Sequence, residues 1–172
     1  MKATDVILAQ LKQARNTINF ATSELSADEW NHRGEGATIQ SIAAIYGHTS
    51  LTQDFLINQL VRGEDMIYTR DNWSVKTGVE KPEGGMPDGW SDTMKSADMA
   101  AFRDYHAAVA VEIDAYIGSL ADEDLDRMIT FGPVGDMPLG IFLANVIGWH
   151  ICHHAGEVAA LSGMLGHKGS SV

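Results

Sequence analysis

Apolar residues recur at steps of three and four along four long stretches of the chain, and this spacing constrains the fold more than any other feature. Residues three and four apart lie on one face of an α-helix, so each stretch predicts a helix with one buried face. The predicted helices cover residues 4–24, 39–62, 97–119 and 138–165. The sequence contains no convincing strand and no internal repeat. It therefore predicts an all-α fold, a single four-helix bundle over residues 1–166.

Polar residues, proline and glycine mark the predicted helix boundaries. Thr38 and Ser96 are placed to cap the second and third helices, and Pro138 fits the first turn of the fourth. Gly166 follows the last apolar position of the fourth helix, where a glycine commonly ends a helix. Residues 167–172 are predicted to form a frayed C-terminal tail.

Residues 64–95 form a long connection between the second and third helices. They show little periodicity and contain several glycines and prolines, which predicts a surface segment. Connections of this length are uncommon unless they are functional or mobile. Trp73 and Trp90 predict that part of the segment packs back onto the bundle. Residues 130–137, before the fourth helix, are predicted to be a turn.

The charge balance narrows the range of partners. The chain carries 23 acidic residues against 12 lysines and arginines, a formal net charge of −11. Nucleic acids and anionic membrane surfaces are themselves negatively charged, so this balance predicts no nucleic-acid partner and no membrane partner. The most apolar stretch, residues 138–149, is too short to cross a bilayer and is predicted to be a buried helix.

Cys152 is the only cysteine, which excludes an intramolecular disulfide. A chain without disulfides suits a reducing compartment. Residues 1–5 contain an acid and are followed by no long apolar stretch, unlike a signal peptide. The sequence therefore predicts a cytoplasmic protein.

Two histidines interrupt the apolar face of the predicted fourth helix. His150 and His154 continue a stripe of apolar residues at steps of three and four, so both are expected to face the core. Residues four apart on a helix have Cβ atoms about 5–6 Å apart, so two imidazoles at this spacing can bind one ion. No glutamate lies between them, and the His-Glu-x-x-His motif of zinc proteases is therefore absent.

His48 occupies a similar position in the predicted second helix, among Ile45, Leu51 and Phe55. Side chains from facing helices build the sites of bundles, so the three histidines could hold one divalent metal ion. Three histidines with a fourth position open are typical of catalytic zinc sites. The residues alone leave a second interpretation open, in which the histidines are polar core residues, since seven histidines in 172 residues give such pairs by chance.

Two segments resemble a known family. Residues 38–48, TIQSIAAIYGH, are similar to the second helix of the DinB/YfiT-like family, and residues 150–161, HICHHAGEVAAL, are similar to its fourth-helix signature. The order of predicted elements also matches over residues 4–166. Members of this family are four-helix bundles, often dimers, that bind a divalent metal ion through three histidines.

By resemblance, the metal ligands are His48, His150 and His154, and the ion is zinc, nickel or iron. Characterised relatives include thiol-dependent transferases and a mycothiol-dependent isomerase. The resemblance therefore implies a small-molecule substrate, a homodimer, and room for a low-molecular-weight thiol as a second cofactor. The chain departs from the family in two places: Glu157 stands where many members have glutamine, and the connection over residues 64–95 is long.

Other polar residues near these histidines have more than one interpretation. Glu157, one turn beyond His154, could accept a hydrogen bond from a ligand histidine, act as a general base, or be a partly exposed surface carboxylate. His106 in the third helix is either a fourth ligand or a core histidine. His153 is expected to point away from the metal, towards the surface or a dimer contact. Cys152 is expected to be a small buried hydrophobe rather than a catalytic thiol.

Two classes of function are consistent with the sequence. The first is a metal-dependent enzyme: a thiol-dependent transferase or isomerase, or a metal-assisted hydrolase. In that case the open metal position binds water or a thiol, and Glu157 is the candidate catalytic residue for proton transfer. The second is a non-enzymatic, stress-related dimeric bundle that binds a metal or a small ligand. A coordination sphere closed by His106 or Glu157 would favour the second class.

Overall fold

The computed structural model describes residues 1–83 and 85–170 of the chain. Gly84, in the predicted connection, and residues 171–172, in the predicted tail, lie outside the described residues. The described chain is mostly helical, which confirms the predicted all-α bundle. In chain order the helices are α1 (Ala3–Ala21), α2 (Ile42–Asp54), α3 (Ile67–Arg70), α4 (Trp73–Thr77), α5 (Trp90–Thr93), α6 (Met99–Ser119), α7 (Leu139–Ile141) and α8 (Trp149–Met164).

Two of the long helices contain a stretch of wider, π-helical turns. Helix α2 continues directly into a π-helical segment over Phe55–Val61, and a second π-helical segment over Phe142–Gly148 joins α7 to α8. In a π-helix the backbone N–H bonds to the carbonyl five residues earlier instead of four, and such turns occur frequently at functional sites. With these segments included, the bundle consists of α1, the extended α2, α6 and the α7–α8 rod.

The four rods pack in a closed arrangement around an apolar core. Helices α1 and α2 each pack against both α6 and α8. The side chains that meet at the centre are fully buried, which is the main source of favourable free energy for such a bundle. Examples from the four rods are Leu11, Ile45, Val109, Ile113 and Val158.

The helix caps differ from those predicted. Ser41, not Thr38, caps α2: its backbone is extended and its hydroxyl accepts a hydrogen bond from a first-turn N–H at 3.3 Å. Asp98, not Ser96, caps α6, and its carboxylate accepts from two backbone N–H groups. In each case a second residue with a suitable side chain lies two or three positions further along, and its carboxylate or hydroxyl reaches the free N–H groups.

The connection over residues 64–95 is long, as predicted, but the prediction that it forms a surface segment is wrong. The segment contains α3, α4 and α5, and it contributes several side chains to the core. Trp73 and Trp90 are 9% and 2% exposed, which confirms that they pack onto the bundle. The Trp90 indole donates a hydrogen bond to the Ala44 carbonyl at 3.0 Å. Each short helix has only four or five residues and buries two of them, too few for an apolar period to mark it in the sequence.

The predicted turn at residues 130–137 is a small β-hairpin, so the expectation of no strands is also wrong. Strands β1 (Met128–Phe131) and β2 (Gly135–Pro138) pair antiparallel, with Met128 opposite Pro138 and Phe131 opposite Gly135. Gly135 has a φ of 86°, a backbone conformation that favours glycine. The hairpin ends where α7 begins, next to the cavity described below. Within the described residues, no helix is long and apolar enough to cross a membrane.

Candidate metal centre

His48, His150 and His154 come together between α2 and α8, and we call them the histidine cluster. One ring nitrogen from each lies within 4.8 Å of the others. The closest pair is His48 Nε2 and His150 Nε2, 2.9 Å apart. The three rings meet edge to face, with centroids 4.5–5.1 Å apart. The spacing of four residues on α8 therefore brings His150 and His154 to the same point as the histidine of α2.

Burial keeps the rings of the histidine cluster neutral. Burial is the larger cause and the charge of the neighbouring His154 the smaller, and together they lower the pKa of His48 to about 4 and the pKa of His150 to about 3. Burial also lowers the pKa of His154, against the opposite effect of its hydrogen bond to Glu157. Neutral imidazole is the form that binds metal ions, because a protonated ring has no free lone pair.

Hydrogen bonds fix the orientation of two of the rings. His154 Nδ1 donates to Glu157 Oε2 at 2.6 Å, which leaves His154 Nε2 free to bind a ligand. His48 Nδ1 contacts the Thr52 hydroxyl at 3.3 Å, one helical turn away. A carboxylate or hydroxyl bonded to the far nitrogen is the usual support of a metal-binding histidine. The sequence analysis did not predict this contact of Thr52. Its position four residues after His48, one helical turn away, could have indicated it.

A cavity of about 830 Å³ opens beside the histidine cluster. His48 and His150 both line it, whereas His154 is not among the lining residues that the structure describes. The remaining lining comes from the extended α2, the segment over residues 64–95, the hairpin, the π-helical Phe142–Gly148 and the first residue of α8, Trp149. Its volume lies within the range of about 300–1,000 Å³ found for small-molecule sites. The histidine cluster is therefore open to a ligand from one side.

Comparison with known proteins identifies the family. A sequence model of the DinB superfamily matches residues 10–158, which include all three histidines of the cluster. The chain belongs to the DinB superfamily. The crystal structure of a conserved protein from Enterococcus faecalis is similar, with a TM-score of 0.80 and 17% identity, covering 94% of this chain and 96% of that one. At this identity the likeness shows the fold alone. No curated protein matches the chain.

Cys152 and His153 both lie on the outer side of α8 in this DinB superfamily member. His153 points outward, as predicted: its ring stacks on Trp149 with centroids 5.1 Å apart and its Nε2 is 3.2 Å from Glu157 Oε1. Cys152 is exposed, so the prediction of a small buried hydrophobe is wrong. The side of α8 opposite the histidine cluster faces solvent rather than another helix, which the residue types alone did not indicate.

His106 belongs to the core of this DinB fold. It is 3% exposed, its ring lies against Tyr46 with centroids 5.1 Å apart, and among the described residues it is not grouped with the histidine cluster. The Ser50 hydroxyl donates to the Tyr46 carbonyl at 2.9 Å, so at its 2.9 Å contact with His106 it accepts from Nδ1–H. Burial, with a smaller effect of the Arg15 charge, lowers the pKa of His106 to about 3.

The buried His106 is expected to make the protein less stable in acid. An unfolded histidine has a pKa of 6.5, against about 3 in the fold. Between these values the unfolded chain binds a proton that the folded chain does not, so stability falls as the pH drops below 6.5. At pH 5 the loss from one such group is about 2 kcal/mol.

His106→Asn keeps a donor near Ser50 and removes the titrating ring. We expect its loss of stability between pH 7 and pH 5, measured by urea unfolding of metal-free protein, to be smaller than that of the wild type by about 2 kcal/mol. Val111→Ala, on the exposed face of α6, is the control and should follow the wild-type curve. The buried rings of the histidine cluster also lower stability in acid, but they do so equally in the wild type and in His106→Asn. Equal losses in wild type and His106→Asn would contradict the prediction.

Proposed function

We propose that this protein binds one divalent metal ion through Nε2 of His48, His150 and His154 and is a metal-dependent enzyme acting on a small molecule. The observation that carries the proposal is the hydrogen bond between His154 Nδ1 and Glu157, next to a cavity that reaches the other two histidines. A polar core cluster would need no such access to solvent. The proposal accounts for both features.

The donor set fits a zinc-like ion. Two nitrogens bound to one tetrahedral zinc ion stand about 3.3 Å apart, from bonds of about 2.0–2.1 Å. The 2.9 Å between Nε2 of His48 and Nε2 of His150 is a few tenths of an ångström shorter. The same separation also fits a hydrogen bond between two neutral imidazoles, which is the polar-core interpretation. Metal content separates the two interpretations.

The roles of the surrounding residues follow from their positions. His48 and His150 line the cavity and would hold the ion there, and Glu157 accepts a hydrogen bond from the far nitrogen of His154. A bound divalent ion would supply Lewis acidity, which polarises a carbonyl or favours the thiolate form of a thiol. This suits thiol-dependent transfer or isomerisation first and metal-assisted hydrolysis second. Zinc, nickel and iron all accept imidazole ligands.

The open side of the histidine cluster favours an enzyme over a closed, non-catalytic metal site. A closed site needs a fourth protein ligand, and the two candidates were His106 and Glu157. His106 contacts Ser50 and Tyr46 instead, and Glu157 contacts the far nitrogen of His154. Glu157 is therefore better placed to position His154 than to complete the coordination sphere. Its role in proton transfer, the homodimer and the cytoplasmic location remain predictions.

The first experiment is a metal analysis of untagged protein purified without an immobilised-metal column. We expect close to one zinc, nickel or iron ion per chain by mass spectrometry, or uptake of one ion on dialysis of stripped protein. Protein that contains no metal and takes up neither zinc nor nickel would refute the metal site and make the histidine cluster part of the core. An ion bound without any transferase, isomerase or hydrolase activity would favour the binding module.

The Glu157 carboxylate is expected to strengthen metal binding. Glu157→Ala should weaken zinc affinity by about 10–100-fold, because the His154 ring loses the acceptor that orients it. Glu157→Gln keeps an oxygen that can accept from Nδ1 and should bind zinc nearly as tightly as the wild type. Competition with a chromophoric chelator measures both, with Cys152→Ala as the control on the same helix. An unchanged affinity in Glu157→Ala would contradict the assigned role.

A further inference from the structure

We propose that the cavity beside the histidine cluster binds an uncharged, mainly apolar organic molecule, such as a substituted aromatic compound, with one end at His48 and His150. That this ligand is the substrate rests on the proposed function, whereas the fit of its apolar body does not depend on the ion. The cavity of about 830 Å³ has room for a molecule of this kind with several rings.

The floor of the cavity is apolar and is formed by buried side chains. Leu51 and Leu56 of the extended α2 and Met66 from the segment before α3 line it, and they are 6%, 3% and 5% exposed. Their backbones belong to packed elements of the bundle, so the floor is preformed. A ligand that covers this surface removes apolar area from water, and this is the main contribution to binding in such sites.

The rim of the cavity is also apolar, although it faces solvent. Phe55, Val134 and Trp149 line the cavity and are 41%, 60% and 62% exposed. They come from three different parts of the chain: the extended α2, the hairpin and the start of α8. Exposed apolar groups that surround an apolar hollow mark a binding site. An elongated apolar ligand would cover both floor and rim.

The charges of the lining argue against an anionic ligand. Among the lining residues that the structure describes, Lys81 is the one cation, and Glu83 lies two positions away with the opposite charge. The chain as a whole carries −11. Phosphates and multiple carboxylates are normally held by several cations or helix N-termini. Thr52, Gln59 and Asn145 are neutral and can hydrogen-bond to a carbonyl, hydroxyl or amide of the ligand.

Access to the histidine cluster is one-sided. His48 and His150 line the cavity, while His154 is held by Glu157 away from it. A ligand whose apolar body fills the cavity therefore has one end at the Nε2 atoms of His48 and His150. The concave shape and buried floor favour a small molecule over a second copy of the chain, which would need a flatter surface.

Two fluorescent probes of the same ring size test the proposal. N-phenyl-1-naphthylamine is neutral, and 8-anilinonaphthalene-1-sulfonate carries a sulfonate. Each is titrated into stripped and zinc-loaded protein, and inorganic phosphate is added as a competitor. Val146→Asp and Val134→Asp place a charge in the lining, and Val111→Asp places the same charge on the exposed face of α6 as the control.

We expect saturable binding of the neutral probe at one site per chain, with and without zinc. The sulfonate should bind about tenfold more weakly, and Val146→Asp and Val134→Asp should each weaken the neutral probe by about tenfold. Neither Val111→Asp nor added phosphate should change the affinity for the neutral probe. Val134 is exposed, so Val134→Asp tests the site even if the partly buried Val146→Asp fails to fold.

Four results would overturn the proposal: no saturable binding of the neutral probe, equal weakening by Val111→Asp, tighter binding of the sulfonate, or displacement by phosphate. Sedimentation is run in parallel. Loss of a dimer in Val134→Asp, without probe binding in the wild type, would assign the rim to an interface between copies. Metal analysis keeps the two proposals apart. If the protein binds the probe but neither contains a metal ion nor takes one up on dialysis, the metal centre alone is refuted. If it takes up a metal ion but does not bind the probe, the apolar ligand alone is refuted.

Discussion

His154→Ala is expected to reduce bound metal from close to one ion per chain to less than about a tenth of an ion. The substitution removes one of the three proposed nitrogen ligands and leaves two, which rarely hold a divalent ion against a chelator. His48→Ala should have the same effect, because its Nε2 lies 2.9 Å from His150 Nε2 on the opposite helix. Mass spectrometry of protein purified without an immobilised-metal column measures the loss.

Thermal unfolding gives a second, independent measure of the same loss. Zinc at 100 times its dissociation constant should stabilise the wild type by about 2.7 kcal/mol and leave His154→Ala unchanged. His106→Asn and His167→Ala change histidines outside the histidine cluster and should keep the full zinc response. A zinc response preserved in His154→Ala, or lost in His167→Ala, would place the ion elsewhere on the chain.

Asp54→Ala is expected to lower the free energy of unfolding by about 3–5 kcal/mol. Asp54 is fully buried, and its carboxylate accepts four hydrogen bonds. Two come from the backbone N–H groups of Ile67 and Tyr68, at 3.0 and 2.9 Å. The others come from the Asn58 amide at 2.8 Å and the Tyr105 hydroxyl at 2.7 Å. Alanine would leave all four donors without a partner in the core.

Urea unfolding with circular dichroism tests the effect of Asp54→Ala. Asp88→Ala removes an exposed carboxylate and should change stability by less than about 0.5 kcal/mol. Asp54→Asn keeps one acceptor oxygen and should lie between the two. Because Asp54 ties α3 and Met66 to the bundle, Asp54→Ala should also weaken binding of the neutral probe. A loss of less than about 1 kcal/mol would show that water replaces the four bonds.

The bundle and the histidine cluster could be predicted because both depend on regular helical spacing. Apolar residues at steps of three and four predicted the four long helices, and the same spacing placed His150 and His154 on one face. The role of His48 needed the additional step that α2 and α8 pack together. The resemblance of residues 38–48 and 150–161 to a family supplied that step, and the match over residues 10–158 confirms the family.

The parts that could not be predicted depend on contacts between residues far apart in sequence. Asp54 holds α3 through two backbone N–H groups, and buried side chains such as Trp73 and Trp90 hold α4 and α5 to the core. The sequences of these short helices show no apolar period. The hairpin of β1 and β2 is only four residues on each side, too short for a clear alternation. The sequence left three candidate roles for Glu157, and its 2.6 Å hydrogen bond to His154 Nδ1 is a tertiary detail that the sequence could not give.

The π-helical segments set the rotation of the helices that carry the histidine cluster, a property of the backbone rather than of any single side chain. Phe142–Gly148 stands between the hairpin and the two histidines of α8, and Phe55–Val61 follows His48 on the other helix. Deleting one residue from Phe142–Gly148, with closure into a regular α-helix, would turn α8 by about 100° relative to the hairpin. The number of residues in this segment therefore fixes the direction in which His150 and His154 point. Substitutions in the segment should be tolerated far better than deletions. In an alignment of DinB sequences, a one-residue gap at this point would signal a redirected site.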